Sequence, residues 1–357
     1  IIFFNANDIT DSIEFWHFDR IISDLKLLKP KFAIFFSIGE FELSGSYFNK
    51  NQFEKLDNIC DNLDINYYFI FGAQDDLFYS NFNNLNLKNV RFLYWPTYLL
   101  HYTYYQSPPQ SQELLPTLKL NKKFTKLFVS LNYKPHRHRQ LLMDKLCEFN
   151  LIENQNISWN VTTKEFYGEE IGDGNKHIFK FWNEQKLIID KEFERNGGHD
   201  TWITDYYINN TINKCLINLV AESTTRCQFI SEKTWKPLLV GQLFLCYGSK
   251  NQNNVLRKYG IDLYDEIFHY GYEEYDDLEK RADGIVYNLL KLKDLDYEVV
   301  YDMLEYKIEK NKKRVLSIID NDPYIPHELI ELYKKYHVLF ENNKVHQYVG
   351  DIMKKCI

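Results

Sequence analysis

Residues 215–248 read CLINLVAESTTRCQFISEKTWKPLLVGQLFLCYG, and the way this stretch divides decides the fold. It opens with the apolar run "CLINLVA", which breaks at Glu222 into the polar loop "STTRCQF". Ser231 then precedes an acid and a base, Glu232 and Lys233, at what reads as a helix start, because serine is a favoured N-cap. A second apolar run, "LFLCYG", ends at Gly248. Strand, helix and strand within about 35 residues make a βαβ unit with parallel strands. Pro237 sits inside the predicted helix, where it removes the bond to the Lys233 carbonyl and should cause a kink.

The same grammar extends in both directions. "IIFFNAND" (1–8), "KFAIFFSIGE" (31–40), "INYYFIFGAQ" (65–74) and "VRFLYWP" (90–96) are apolar runs ending in polar or turn residues. Between them, 11–29 and 51–63 carry apolar residues at helical spacing, which predicts buried parallel strands joined by crossover helices. Residues 99–123 contain Pro108, Pro109 and Pro116 and read as a loop or linker. A second series begins with "KLFVSLN" (126–132) and the helix-like "RHRQLLMDKLCEF" (137–149), while 150–198 are irregular. Beyond Glu273 the three- and four-residue apolar spacing predicts amphipathic helices. The fold class is α/β with a helical C-terminal tail. At 357 residues the chain exceeds the usual single core, which predicts domains at 1–120 (including the linker) and 121–320, with the tail at 321–357.

Forty-three Lys and Arg stand against 50 Asp and Glu, a net charge of -7 that disfavours nucleic acid as a partner. The 27 Tyr and 26 Phe could stack on sugars or bases, although the wealth of Asn, Lys and Ile points to compositional bias as their source. Cys60, Cys147, Cys215, Cys227, Cys246 and Cys356 are scattered without metal-site spacing and read as buried thiols of a cytoplasmic or other reducing compartment. No apolar run is long enough for a membrane span. The chain begins at Ile1 within a strand-like run and without methionine, which fits a fragment or processed product.

Open α/β sheets bind ligands outside the carboxyl ends of their strands. Glu222, Glu232 and Lys233 are expected on one such rim. A helix N-terminus capped by Ser231 favours anions through outward first-turn N–H groups. Lys233 suits a phosphate, Glu232 the two hydroxyls of a ribose, and Arg226 offers a second cation, so the set fits a nucleoside diphosphate. A plain surface helix start would place an acid and a base the same way. His136 and His138 could ligate a metal only with a third ligand, and a basic loop is the competing reading. Asp320-Asn321-Asp322 has a D-x-D form but reads as a turn. Asp75-Asp76 could touch an acceptor, and His199-Asp200-Thr201-Trp202 could face a sugar. No G-x-G-x-x-G, P-loop, zinc or Ser-His-Asp signature is present in the sequence.

The segment from Val220 to Gly248 resembles the donor-binding segment of glycosyltransferases of the two-domain GT-B fold, especially the α1,3-fucosyltransferase family. Glu222-Ser223-Thr224 stands at the strand end, Ser231-Glu232-Lys233 opens the helix, and "LFLCYG" is the following strand. Ser223 replaces the family's Asn, and Pro237 and Gln242 are departures. "KLFVSLNYKPHRHRQ" is similar to the family's first donor-domain strand, with Ser130-Leu131-Asn132 as the turn and Arg137 or Arg139 as the pyrophosphate contact. The two segments cover about 50 residues. The resemblance implies two Rossmann-like domains facing a cleft (GT-B type), with the acceptor side in the first and the nucleotide sugar in the second. It also implies an inverting transfer from a nucleotide-diphosphate sugar to a hydroxyl of a glycan or similar acceptor, with no obligatory cofactor or metal.

Inversion needs a base to take the acceptor proton. The resemblance places it after a strand of the first domain, where Glu40, with Glu42 behind it, fits the loop between Gly39 and Gly45. Glu222 is the candidate for holding donor-sugar hydroxyls; Arg139, Lys233 and the helix N–H groups would stabilise the leaving diphosphate. Two alternatives remain. One is a DNA-base glycosyltransferase, which needs a basic groove from Lys119, Lys122, Lys123, Lys126, Lys134, Arg137 and Arg139. The other is a glycan- or nucleotide-binding protein of the same fold without turnover.

Overall fold

The apolar runs become strands because both faces of each sheet are covered. The computed structural model describes residues 2–5, 18–37, 49–72, 76–95, 120–132, 136–159, 210–225, 227–320 and 325–341. The chain divides into two compact units: residues 1–101, 226–229 and 317–357 form the first, and 102–225 with 230–316 the second.

In the first unit, strands β1 (Ile2–Asn5), β2 (Phe32–Ser37), β3 (Asn66–Phe71) and β4 (Val90–Tyr94) lie in that order, all parallel. Helices α1 (Phe18–Leu28), α2 (Lys50–Leu63) and α3 (Asp76–Asn83) connect them. Alternate residues of β3 use both faces: Tyr67, Phe69 and Phe71 join the core that holds Phe18 and Phe53, while Tyr68 and Ile70 are buried on the other side. Phe53 of α2 is the hub, with rings of Phe18, Phe82, Phe92 and Phe69 at centroid distances of 5.3, 5.4, 5.7 and 6.0 Å. Asn49 caps α2, and Asp64 turns the chain out of it in the left-handed region at φ 55°. One turn from the hub, Asp57 accepts the backbone N–H groups of Lys88, Asn89 and Val90, which fixes where β4 starts. Helix α10 (His327–Glu341) follows later in the chain.

The second unit holds β5 (Lys126–Asn132), α4 (Arg137–Glu148), β6 (Asn156–Trp159), the short α5 (Asn210–Asn213), β7 (Cys215–Ala221), α6 (Glu232–Val240), β8 (Leu243–Tyr247) and α7 (Gln252–Lys258). A 3₁₀ turn (Tyr270–Glu274) and helices α8 (Leu278–Leu292) and α9 (Tyr297–Asp320) follow. The sheet is parallel in the order β6-β5-β7-β8. After β6 the chain returns across β5 to lay down β7, so the direction of winding reverses between β5 and β7. The α/β class and the parallel sheets match the sequence reading. Strand β6 does not: it lies in the stretch read as irregular, because four residues on a sheet edge carry too short a pattern to declare themselves.

Pro237 is accommodated inside α6, and Gly241 ends that helix at φ 76° with its N–H on the Pro237 carbonyl. The Tyr301 hydroxyl donates to the Gly241 carbonyl at 2.7 Å, which ties α9 to this end. Lys145 of α4 bridges Glu279 and Asp283 of α8, each at 3.1 Å. Among the described residues, Cys60, Cys147, Cys215, Cys227 and Cys246 are buried free thiols, and no helix is long and apolar enough to cross a membrane.

Candidate functional site

Where winding reverses in an open parallel sheet, the loops leaving two adjacent strands diverge and open a crevice at their carboxyl ends. Most of the site residues read from the second series fall at this point, on the ends of β5 and β7 and the starts of α4 and α6.

Glu222 follows the last residue of β7, and its N–H donates to the Tyr247 carbonyl of β8. Its side chain is wholly buried. Oε1 accepts from the Thr234 hydroxyl at 2.5 Å, the Ser231 N–H at 3.1 Å and the Gln252 amide at 3.3 Å. Oε2 accepts from the Ser231 hydroxyl and from the Ser223 N–H. Five donors around one carboxylate replace its lost hydration, which is the condition for burying such a charge. Glu222 is thus a clamp that fixes the start of α6 to the end of β7. The Glu222 charge and, before it, burial raise the pKa of the Cys246 thiol well above the usual range.

Ser231 caps α6 as its sequence predicts, accepting the Lys233 N–H at 3.2 Å. The N–H groups of Thr234 and Trp235 turn back to the Ser231 carbonyl. The first-turn donors expected to point outward are therefore largely consumed by the cap, and what α6 offers an anion is its dipole and the Lys233 side chain. Lys233 is half-buried, and its ammonium donates to the Ser223 hydroxyl at 3.0 Å, which holds the cation over the end of β7.

The α4 side is built on a basic stretch that is not a loop. His136 precedes α4, and Arg137, His138 and Arg139 form its first turn. Arg139 is buried, and its Nη2 donates to the carbonyls of Ala221 and Glu222, both at 3.1 Å. His138 Nε2 lies 2.8 Å from the same Glu222 carbonyl, an acceptor only, so Nε2 carries the proton. Burial first, and the Arg139 charge next, push the His138 pKa well below its ordinary value, so the ring is neutral. It packs edge-on against Tyr247 and parallel to His136. Arg137 alone of this triplet is exposed. On β5, Ser130 and Asn132 are buried, and the Asn132 amide donates to the Ser130 hydroxyl at 3.0 Å.

The structure thus brings together Arg139, Glu222, Ser231 and Lys233 through one chain of hydrogen bonds, with Ser223, Thr234, Gln252 and His138 as members. Thr234, Gln252 and His138 were not picked out by sequence as parts of this assembly. Thr234 occupies the third helical position, where side chains reach back to a cap; Gln252 joins only through the fold. A Cβ at Gly248 would stand 1.8 Å from Gln252 Oε1, so any larger residue there would have to displace that side chain from the network. Gln242 is buried and donates to the Ile212 and Cys215 carbonyls, a structural task.

Glu232 opens α6, but its side chain is outside what is described, as are Glu40, Glu42, Arg226, Asp75 and residues 199–202. Asp320 ends α9, and Asn321 and Asp322 are outside. Among the described residues no group of His, Cys, Asp and Glu is placed to hold a metal. Of the lysines proposed for a basic groove, Lys122 is engaged by Glu305 and Asp302, at 2.5 and 3.7 Å, and Lys126 donates to Asn156 at 2.5 Å; Lys119 and Lys134 are outside the described residues. No family model, curated protein or solved structure matches the chain.

Proposed function

We propose that the second unit is the donor-binding half of a glycosyltransferase, holding a nucleotide-diphosphate sugar at the carboxyl ends of β5 and β7. The observation that carries this reading is the clamp: Glu222, buried and fivefold hydrogen-bonded, fixes the α6 start and places Lys233 at the point where winding reverses. A preset cation there stabilises the diphosphate as it leaves, without reorganising at the moment of transfer. Exposed Arg137, at the start of α4, is the second cation available to the phosphates, while Arg139 and His138 position the β7 end through its carbonyls. In this reading Glu222 acts through Ser231 and Lys233 and does not itself touch the sugar. The chain would pair two Rossmann-like units in the GT-B manner, and Glu40 of the first would take the acceptor proton in an inverting displacement on a glycan or similar hydroxyl.

The test is thermal unfolding against GDP, UDP, ADP and dTDP, repeated with Lys233→Ala. A ligand at a hundred times its Kd stabilises the native state by about 2.7 kcal/mol. One nucleotide should raise the melting temperature of the wild type and leave Lys233→Ala unmoved; no shift with any of the four removes the reading. A binding protein without turnover is favoured by one observation: the carboxylate in the described part of the site is occupied by the clamp. Glu40→Gln separates the two, since it abolishes transfer in an enzyme and leaves nucleotide binding intact in both.

A further inference from the structure

Among the described residues of the second unit two glutamates are buried, and they are provided for differently. Glu222 is ringed by five donors. Glu273, in the 3₁₀ turn and 5% exposed, has the single Asn253 N–H, which its two oxygens share at 2.9 and 3.2 Å. A buried carboxyl is ordinarily paired with a cation or surrounded by donors, because it has lost its hydration. The two guanidinium groups whose charge reaches Glu273 are bonded elsewhere: Arg257 to Asp265 and Asn254 at 2.7 and 3.2 Å, and Arg281 to the Gly248 carbonyl at 2.6 Å. The Asn253 side chain is wholly buried, with neither its oxygen nor its nitrogen in a hydrogen bond. Burial, the largest influence, raises the Glu273 pKa to about 8, and it holds the neighbouring Tyr272 and Cys246 neutral.

Glu273 is not sealed in. It lines a cavity of about 380 Å³ beside α7 and the 3₁₀ turn, at the small end of ligand pockets. Arg257, Asp265 and Asn254 form a wall already bonded within itself, and His269 turns its Nδ1 to the Gly271 N–H at 3.0 Å. The charged groups left over are Glu273 and the exposed Glu274. With Arg257 neutralised by Asp265, two carboxyls repel an anion and attract a cation. Among the described residues no group of His, Cys, Asp and Glu is placed to hold a metal, so the cation that suits this cavity is organic.

We propose that this cavity binds a small molecule carrying a primary ammonium group, with Glu273 as its ion-pair partner and Glu274 as a second acceptor at the mouth. Pairing favours the ionised carboxylate, so Glu273 gives up its proton to solvent as the amine enters. The site shares no residue with the phosphate contacts proposed above and does not rest on that reading.

Calorimetric titration of the full chain tests this, with propylamine and putrescine as probes and 1-propanol and 1,4-butanediol as matches that lack the ammonium. Both amines should bind and the alcohols should not. Near pH 7, titrations in buffers of different ionisation enthalpy should report the release of about one proton per bound amine, a release that declines as pH rises through the pKa of about 8. Glu273→Gln should abolish binding and release, with thermal unfolding showing that the fold is kept. Glu274→Gln, at an exposed position, should raise the Kd by about threefold. Lys233→Ala should bind amines as wild type does, and so should Asp19→Asn, which removes an exposed charge from the first unit. The proposal is overturned if neither amine binds, if the alcohols bind as tightly as the amines, or if Glu273→Gln keeps wild-type affinity. Binding by the wild type without proton release near pH 7 also overturns it, whether or not Glu273→Gln folds. Equal weakening by Asp19→Asn would show general attraction to an acidic surface and overturn it as well.

Discussion

Glu222 and Lys233 are both charged, yet they do opposite work. Each carboxylate oxygen of Glu222 accepts from at least one N–H group, which cannot accept in turn, so either orientation of the amide in Glu222→Gln would aim its NH₂ at such a donor. A buried network that loses its charge in this way costs on the order of 3 kcal/mol. Urea denaturation of Glu222→Gln should show that loss, while Lys233→Ala, at a partly exposed side chain that donates to the Ser223 hydroxyl, should lose about 1 kcal/mol or less. An equal effect of the two substitutions would refute the division between a clamp and a binding side chain. The sequence made Glu222 visible as a strand-end acid; that its carboxylate turns inward follows from Thr234 and Gln252, which chain distance hides.

At the scale of elements, helices and strands here are held by different means. The α6 start is fixed by polar contacts to a single carboxylate, whereas α2 is fixed by one aromatic ring in a nest of four. Truncating Phe53 removes those edge contacts and opens a cavity that the sheet backbone cannot close, at a cost of about 3–5 kcal/mol. Phe53→Leu keeps much of the volume and should lose less. Denaturant midpoints check both, and a Phe53→Ala midpoint equal to wild type would deny the helix its anchoring role. Local patterning had announced α2 and β3; the identity of the hub residue was not legible, since Phe18, Phe69, Phe82 and Phe92 converge on it from four other elements and nothing in their spacing ranks it.

For the molecule as a whole, buried carboxyls make stability depend on pH in an unusual direction. Glu273 accepts the Asn253 N–H, and burial raises its pKa to about 8. Asp144 is raised to about 7, by burial first and Glu148 next. Both folded-state values exceed those of the unfolded chain, which lie near 4. The native state therefore holds protons that the unfolded chain has released, and these groups subtract stability as pH rises from about 5 to about 8. Glu273→Gln, which cannot ionise, should gain on the wild type across that interval. A difference that stays constant with pH would rule out the raised pKa.

The sequence by itself determined the elements: apolar runs of strand length, helical spacing, the Ser231 cap and the α/β class are local patterns, each complete within a few residues of chain. Tertiary structure alone decided the strand order β6-β5-β7-β8 and the use of the charged residues at its reversal. The bonds that commit His138 and Arg139 to the β7 carbonyls span 82 to 84 residues, and that from Gln252 to Glu222 spans 30. A charge in sequence carries no sign of whether water or a buried partner will solvate it; only the packed sheet end, which excludes water from Glu222 and Arg139 and leaves Arg137 exposed, makes that choice.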